Sequence, residues 1–421
     1  MRVTRVCWLT VLFGAPWSEF RCVLRGLDNG QERGTVGRES ASARCATMDL
    51  EALESKLDIL VLNYAQLRVC IEQLKAIKWL AVVLDEGQQI KNPDSKAAKS
   101  SRMLEASNRL VLTGTPLENR LLDIWSLMSF AMPGVLGDRK YFREHFDRRK
   151  DVKAQSRLAA RLRPFMLRRT KDQVAVDLPP RIEEDVLCKM EEDQANLYED
   201  ELNRIQSILA GSETDDQLRK NSFVILQGLM RLRQICCHPG LLDPDYLEAP
   251  SAKLIALFYL LDQLQEEGHK VLVFSQFTSM LEIIRKKLDD ENRPHCLLTG
   301  QTKDRQSVVE GFQRSKDPTC FLLSLKAGGS GLNLTASSYV VLYDPWWNPA
   351  VENQAIDRTH RIGQTNKVIA YRLLMRDSVE EKIRVLQKQK AEMVTGILGE
   401  ESFTRNLRRQ DLAFLFGEAQ E

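Results

Sequence analysis

The sequence predicts an α/β protein built on doubly wound parallel sheets, and three observations carry that expectation. Short runs such as Leu80–Leu84 (LAVVL) and Val340–Tyr343 (VVLY) are apolar without alternation, the pattern of strands buried on both faces. They alternate with amphipathic stretches of helical length. Several end in carboxylates, hydroxyls or glycines, and the carboxyl edge of an open parallel sheet is where ligands gather.

A chain of 421 residues allows two or three domains with a sizeable core. Its formal net charge is only +2, which excludes a global basic field, so any nucleic-acid surface must be local. Nine cysteines fall without a regular framework and read as free thiols of a cytoplasmic or nuclear protein. Cys236, Cys237 and His238 invite a zinc reading. Adjacent cysteines share one tetrahedral ion poorly and no second Cys-x-x-Cys pair follows, so they are read as fold residues. No apolar run approaches the roughly 20 residues of a membrane span.

Taken in order, residues 1–47 form a leader unlike the rest. Cys7 to Trp17 is apolar behind Arg2 and Arg5 but lacks a small-x-small cleavage site, and Gln31 to Ala46 reads as disordered. Met48 is an alternative start. A strand is expected at Asp58–Leu62, a helix at Tyr64–Ile77 and a strand at Leu80–Leu84, which ends in Asp85-Glu86-Gly87-Gln88. One such carboxylate can hold Mg²⁺ through water while its neighbour orients an attacking water, although an Asp-Glu pair after a strand is commonplace. The next strand, Arg109–Leu112, runs into Thr113-Gly114-Thr115-Pro116. Two hydroxyls there can relay a hydrogen-bond change, or can be ordinary turn chemistry. The helix that follows has Leu121, Ile124, Trp125, Leu127 and Met128 as core positions.

Residues 140–250 break the rhythm with successive amphipathic helices. In their middle, the cations of Arg161–Lys171 (RLRPFMLRRTK) either contact a phosphate backbone or form a solvated linker. From Ser251 the α/β pattern returns, with strands expected at Lys270–Phe274, Pro294–Leu298, Thr319–Leu323, Tyr339–Tyr343 and Val368–Leu373. Ser324–Leu334 (SLKAGGSGLNL) brings glycines to a strand end, as a phosphate or sugar contact or as a tight turn. After Tyr343, Asn348 and Pro349 read as an N-cap and first helical position, and Gly363 as the helix end. Gln354, Arg358 and Arg361 then stand at i, i+4 and i+7 and leave from one face. That stripe suits a polyphosphate; the alternative is a charged face paired to Asp357 and Glu352. Of Trp346 and Trp347, at least one is expected to be buried against this helix rather than stacked on a base.

These segments together carry a resemblance. LDEGQQIKN, LTGTPLENRLLDIWSLMSF, RPFMLRRTK, DLPPR, LRQICCHPGLL, SLKAGGSGLNL and DPWWNPAVENQAIDRTHRIGQ, in this order over residues 49–416, resemble the Swi/Snf-like family of double-stranded-DNA translocases in helicase superfamily two. The resemblance implies two RecA-like doubly wound parallel-sheet lobes, the first incomplete, with a helical insertion between them. It divides the chain into an unmatched leader at 1–47, a partial first lobe at 48–139, the insertion and linker at 140–250, the second lobe at 251–398 and a C-terminal helix at 399–421. It implies ATP and Mg²⁺ as cofactors, with Asp85 on the metal, Glu86 as catalytic carboxylate and Gln88 as a coupling residue. Arg361 becomes the arginine finger, with Arg358 and Gln354 beside it, and Gly329 and Gly331 line the cleft. Thr113, Thr115, Arg168, Arg169, Lys326, Ser330 and Asn333 become nucleic-acid or coupling residues. The resemblance also implies a double-stranded-DNA partner and an ATP-dependent translocase.

The sequence departs from the family at one point: none of its 22 glycines is followed by lysine, so the P-loop pattern G-x-x-x-x-G-K-[ST] is absent. Three strands are left in the first lobe, whose edge and apolar surface then call for a covering protein partner. The alternative function is a non-catalytic DNA-binding or regulatory remnant of such an enzyme.

Overall fold

A computed structural model describes residues 6–9, 59–114, 121–147, 152–167, 169, 171–175, 177–211, 215–328, 332–393 and 409–417. The chain divides into two compact units, Met1–Thr170 and Lys171–Glu421.

The first unit holds strands β1 (Val6–Leu9), β2 (Ile59–Leu62), β3 (Trp79–Leu84) and β4 (Ala106–Val111) in the order β2-β1-β3-β4, all parallel. This corrects the reading of residues 1–47: Val6–Leu9 is an interior strand between β2 and β3 rather than part of an unmatched leader. A four-residue apolar run shows no period of its own. Only its pairing with strands more than 50 residues away makes it a strand. The disorder expected at Gln31–Ala46 lies outside the described residues.

Parallel neighbours require crossover connections. After β2, the Asn63 side chain accepts from the Gln66 amide at 2.7 Å while Gln66 Oε1 accepts from the Asn63 amide at 3.0 Å, a reciprocal cap that starts a helix. The single helix expected to Ile77 is two, Tyr64–Val69 and Ile71–Leu74, meeting at Cys70 with φ −98° and ψ 12°. Leu60, Leu62, Leu67, Leu74, Val82, Leu84 and Phe130 share one core. The helix Leu121–Ala131 sends Leu127 and Phe130 into it. Leu122, Ile124 and Met128 pack instead with Phe142 and Leu158 of the following helices.

The second unit holds β5 (Arg181–Cys188), β6 (Val271–Ser275), β7 (His295–Leu298), β8 (Cys320–Ser324), β9 (Tyr339–Leu342) and β10 (Val368–Met375) in the order β5-β10-β9-β6-β8-β7, again parallel. Successive residues serve opposite faces. Val271, Val273, Leu322 and Val341 enter one core, and Leu272, Phe274, Phe321, Leu323, Val340 and Leu342 the other. The last five strands match the expected segments to within two residues at each end. β5 does not: it falls inside the stretch assigned to a helical insertion and pairs with β10 over its whole length. Its sequence RIEEDVLC hides the strand because Glu183, Glu184 and Asp185 erase the apolar signal, and charge is what an edge strand uses to refuse further pairing. The second sheet therefore begins well before residue 251.

The helices Glu192–Ala210, Asp215–Cys237, Val379–Met393 and Arg409–Phe416 share one apolar cluster, including Tyr198, Ile205, Leu232, Ile383, Leu415 and Phe416. Cys188, Cys236, Cys237, Cys296 and Cys320 are free thiols; Cys70 is disulfide-bonded, against the expectation of free thiols throughout. Among the described residues no helix is long and apolar enough to cross a membrane.

Candidate functional site

At the carboxyl end of β3 the chain turns sharply. Glu86 adopts φ 50° and ψ 51°, a left-handed conformation uncommon for a side chain of this size. Gly87 follows because nothing larger fits: a Cβ there would stand 2.2 Å from Val111 Cγ1. Its amide donates to the Leu112 carbonyl at 2.9 Å, tying this turn to the end of β4. Asp85 Oδ1 accepts from the Glu86 amide at 2.9 Å, and the Asp85 carbonyl accepts from the Tyr64 hydroxyl at 2.8 Å. The burial of Tyr64, with Asp85 and Glu86 nearby, raises its hydroxyl pKa and keeps it a donor.

A chain of side-chain hydrogen bonds links the residues expected here. Gln88 Nε2 donates to Glu86 Oε2 at 2.7 Å, and Thr113 Oγ1 donates to Gln88 Oε1 at 2.9 Å. The two strand ends are thus joined by a continuous pair of side-chain hydrogen bonds from Thr113 through Gln88 to the Glu86 carboxylate. Asp85 and Glu86 are both half-buried. An oxygen-only donor set with partial solvent access fits Mg²⁺, which keeps several waters. Thr115 lies outside the described residues.

In the second unit, Asp344 ends the strand expected at Tyr339–Tyr343. It is 1% exposed, and it accepts from Ser275 Oγ at 2.5 Å and from the Gln276 amide at 3.2 Å. Burial pushes its carboxyl up to about 6. The turn beyond it is held at nearly every peptide. Lys253 Nζ donates to the Tyr343 carbonyl at 3.1 Å, Arg233 donates to the Pro345 carbonyl at 2.5 Å, and the Trp346 amide donates to Glu352 Oε1 at 2.7 Å. Both tryptophans are buried, and the Arg233 guanidinium lies over the Trp347 ring at 4.7 Å.

Asn348 caps the next helix by accepting from the Ala350 amide at 3.0 Å, with Pro349 at its first position, as expected. The helix ends at Ile356, however, and Arg358 and Arg361 sit in the turns beyond it. The expected stripe of three side chains on one helical face is corrected accordingly. Arg358 is buried, Gln354 is half-buried and Arg361 is exposed, with its guanidinium 3.4 Å from the Leu332 carbonyl. Periodicity failed because the arginine stretch makes 3₁₀-like turns: the Arg358 amide donates to Ala355 and that of Thr359 to Ile356. Gly363, at φ 102°, ends these turns rather than the helix.

The alternative pairing of Glu352 with these arginines is not what the structure shows. Glu352 bonds Arg372 of β10 at 3.0 Å, both nearly inaccessible, and Arg372 also reaches Asp185 at 2.5 Å and Glu183 at 3.1 Å on β5. Sequence reasoning missed Arg372, Arg233 and the Lys253–Glu380 pair, which meet at 2.5 Å with no exposure. The one signal available was a lysine or arginine inside an otherwise apolar run, which demands a buried partner.

Gly329, Ser330, Gly331 and Arg168 lie outside the described residues. Lys326 is in the short helix Leu325–Gly328, and Asn333 is exposed. In the first unit Arg161, Arg163, Phe165, Met166 and Leu167 are exposed, as is Arg169, placing cations beside apolar side chains on one segment. Cys236 and Cys237 are fully buried in their helix, and His238 spends Nδ1 on the Gly240 amide at 3.0 Å. Burial lowers the His238 pKa, so the neutral ring serves the turn.

Comparison with known proteins gives two family matches, an SNF2-related domain over residues 21–241 and a helicase conserved C-terminal domain over residues 252–363. The first begins within the leader that sequence reading left unmatched. An ATP-dependent helicase of Mycoplasma genitalium, itself uncharacterised, is 36% identical over 364 residues, covering 86% of this chain and 35% of that protein. The human SWI/SNF-related matrix-associated actin-dependent regulator of chromatin subfamily A member 1 is 36% identical over 357 residues, covering 81% and 34%. The chain thus spans about a third of the length of these relatives. Among solved structures, the Sulfolobus solfataricus SWI2/SNF2 ATPase core in complex with dsDNA matches 99% of this chain and 87% of that chain at 29% identity, with TM-score 0.49.

Proposed function

Because the chain belongs to the SNF2-related family of ATP-dependent helicases and remodellers, we propose that it works as part of a translocase on double-stranded DNA, with ATP and Mg²⁺ as its cofactors. The observation that carries this reading is the Glu86–Gln88–Thr113 relay. Its geometry fits a carboxylate that orients a water and a strand-end hydroxyl that reports on a second ligand. Asp85 is the residue assigned to Mg²⁺, which when bound neutralises charge on the phosphate oxygens. Glu86 holds the water and Gln88 fixes the carboxylate rotamer. In the second unit, exposed Arg361 is the residue assigned to the transferring phosphoryl group, where a planar fork stabilises developing charge. Buried Arg358 is assigned to support rather than contact.

Duplex DNA is assigned to the exposed Arg161, Arg163 and Arg169 segment of the first unit. Contacts of this kind are to phosphates, so affinity should fall steeply with salt and show little sequence preference. A protein partner is assigned to the apolar surface of the first sheet around Leu110.

A second reading is favoured by one observation: no glycine in the sequence precedes a lysine. Amides and a lysine at a helix N-terminus supply most of the positioning of a nucleotide's phosphates, and Glu86 can act only on a nucleotide already held. In this reading the chain by itself binds duplex DNA without turnover. A steady-state phosphate-release assay with Mg²⁺ and saturating duplex DNA, run beside Glu86→Gln, separates the two. DNA-stimulated release that disappears in Glu86→Gln establishes the first; release no faster than in that variant, with salt-sensitive DNA binding intact, establishes the second. No binding to duplex DNA at low salt sinks both.

A further inference from the structure

The turn that carries Arg358 and Arg361 has an unusual tether. Past the end of its helix at Ile356 the backbone runs to Gly363 in short turns, with the Leu334 amide donating to the Arg358 carbonyl at 3.0 Å, and a segment far back in the chain adds further holds. Lys171 Nζ lies 2.7 Å from Asp357 Oδ1 and donates to the His360 carbonyl, also at 2.7 Å. His360 Nε2 faces the Pro179 carbonyl at 2.8 Å. Arg181 donates to Asn353 Oδ1 at 2.5 Å and lies 3.6 Å from Asp357 Oδ1. Residues 171–181 therefore cross the turn and touch it at both ends. Arg181 holds the helical side, while Lys171 and Pro179 hold the arginine side.

We propose that Lys171 is a positioning residue for the arginine-bearing turn Asp357–Gly363, fixing where Arg361 points. The ammonium group bridges the carboxylate of Asp357, which caps the helix C-terminus where a cation is favoured, and the carbonyl of His360 in the turn beyond. Two anchors three residues apart on one cation fix the curvature of the segment between them. Arg361 is the next residue after His360, so its backbone origin is set directly by this contact. The chain passes from the first compact unit to the second between Thr170 and Lys171. The consequence for phosphoryl transfer rests on the reading of Arg361 given above; the positioning itself does not.

The test is amide hydrogen exchange of the full chain without nucleotide or DNA, followed on peptides covering 349–356 and 357–364. A partly exposed ion pair contributes little to global stability, so its loss should appear as local opening. Lys171→Ala is expected to speed exchange across 357–364 by roughly three- to tenfold, leave 349–356 unchanged and leave the global unfolding midpoint in place. Lys171→Arg, which retains charge and donors, is expected to restore slow exchange. Unchanged exchange in Lys171→Ala, equal acceleration in both variants, or acceleration spread over the whole second unit overturns the proposal. Because no ligand is used, its failure is distinguishable from failure of the proposed function.

Discussion

In the second sheet every residue of β6 and β8 is buried, whereas β4 of the first sheet leaves Leu110 52% exposed, with Leu112 just beyond it exposed as well. Both sheets are parallel, and a parallel sheet ordinarily has helices on both faces. In the second unit two separate cores flank the strands. In β4 the residues facing the helices are occupied: Arg109 donates to the Leu104 carbonyl at 2.8 Å and lies over the Phe130 ring, and Val111 packs on the core. The alternate residues, Asn108 and Leu110, face outward. Among the described residues, the second sheet is therefore packed from two sides and the first, at β4, from one. The same local rule, a short run beside a parallel neighbour, yields a saturated strand or a receptive one according to what covers it.

The largest break in the second unit should come from its buried charge. Lys253→Met leaves Glu380 in the interior without its partner and should cost about 3–5 kcal/mol, read as an early second-unit transition in denaturant. Next, Leu322→Ala in β8 should cost about 2–5 kcal/mol, while Leu110→Ala in β4 stays within about 0.5 kcal/mol. Equal losses at the two sites would show that β4 is covered in solution and would remove the contrast.

Asp344 gives the second unit a pH signature. Its carboxyl titrates near 6 in the folded protein because burial disfavours the anion, against about 4 when unfolded. The folded state then binds the extra proton in that window. Stability from this group is fully present below about pH 4 and is lost as pH rises through about 6, on the order of 2–3 kcal/mol in all. Asp344→Asn should flatten that part of the second unit's stability profile, measured by denaturant titration at a series of pH values. In the first unit, Gly87→Ala should cost about 1–3 kcal/mol, since the new methyl displaces Val111. Val111→Ala in the same chain should recover part of that loss, and failure to do so would place the strain in the backbone instead.

Much of the architecture was legible because its signals are local. Unbroken apolar runs located β3 and β6 to β10, and the Asn348-Pro349 pair located a helix start, because strand burial and capping depend on residues close in sequence. The strand-end groups Asp85, Glu86, Gln88 and Thr113 were legible for the same reason. What escaped was decided by partners far along the chain. β1 is a strand only between β2 and β3, and β5 is one only beside β10. Arg358 and Arg361 separate because the helix stops at Ile356, a point that the i, i+4, i+7 spacing cannot register.

The sequence alone determined that this is an α/β chain with carboxylates and hydroxyls at the ends of parallel strands, since period, turn residues and charge placement are properties of neighbours. Tertiary structure decided which charges are chemistry and which are scaffold. Arg372, Lys253 and Arg233 are committed to buried carboxylates, carbonyls and an aromatic face, while Arg361 stays at the surface. A guanidinium has the same fork everywhere; whether it serves the interior or an incoming phosphate depends on the desolvation and partners that only the folded chain supplies.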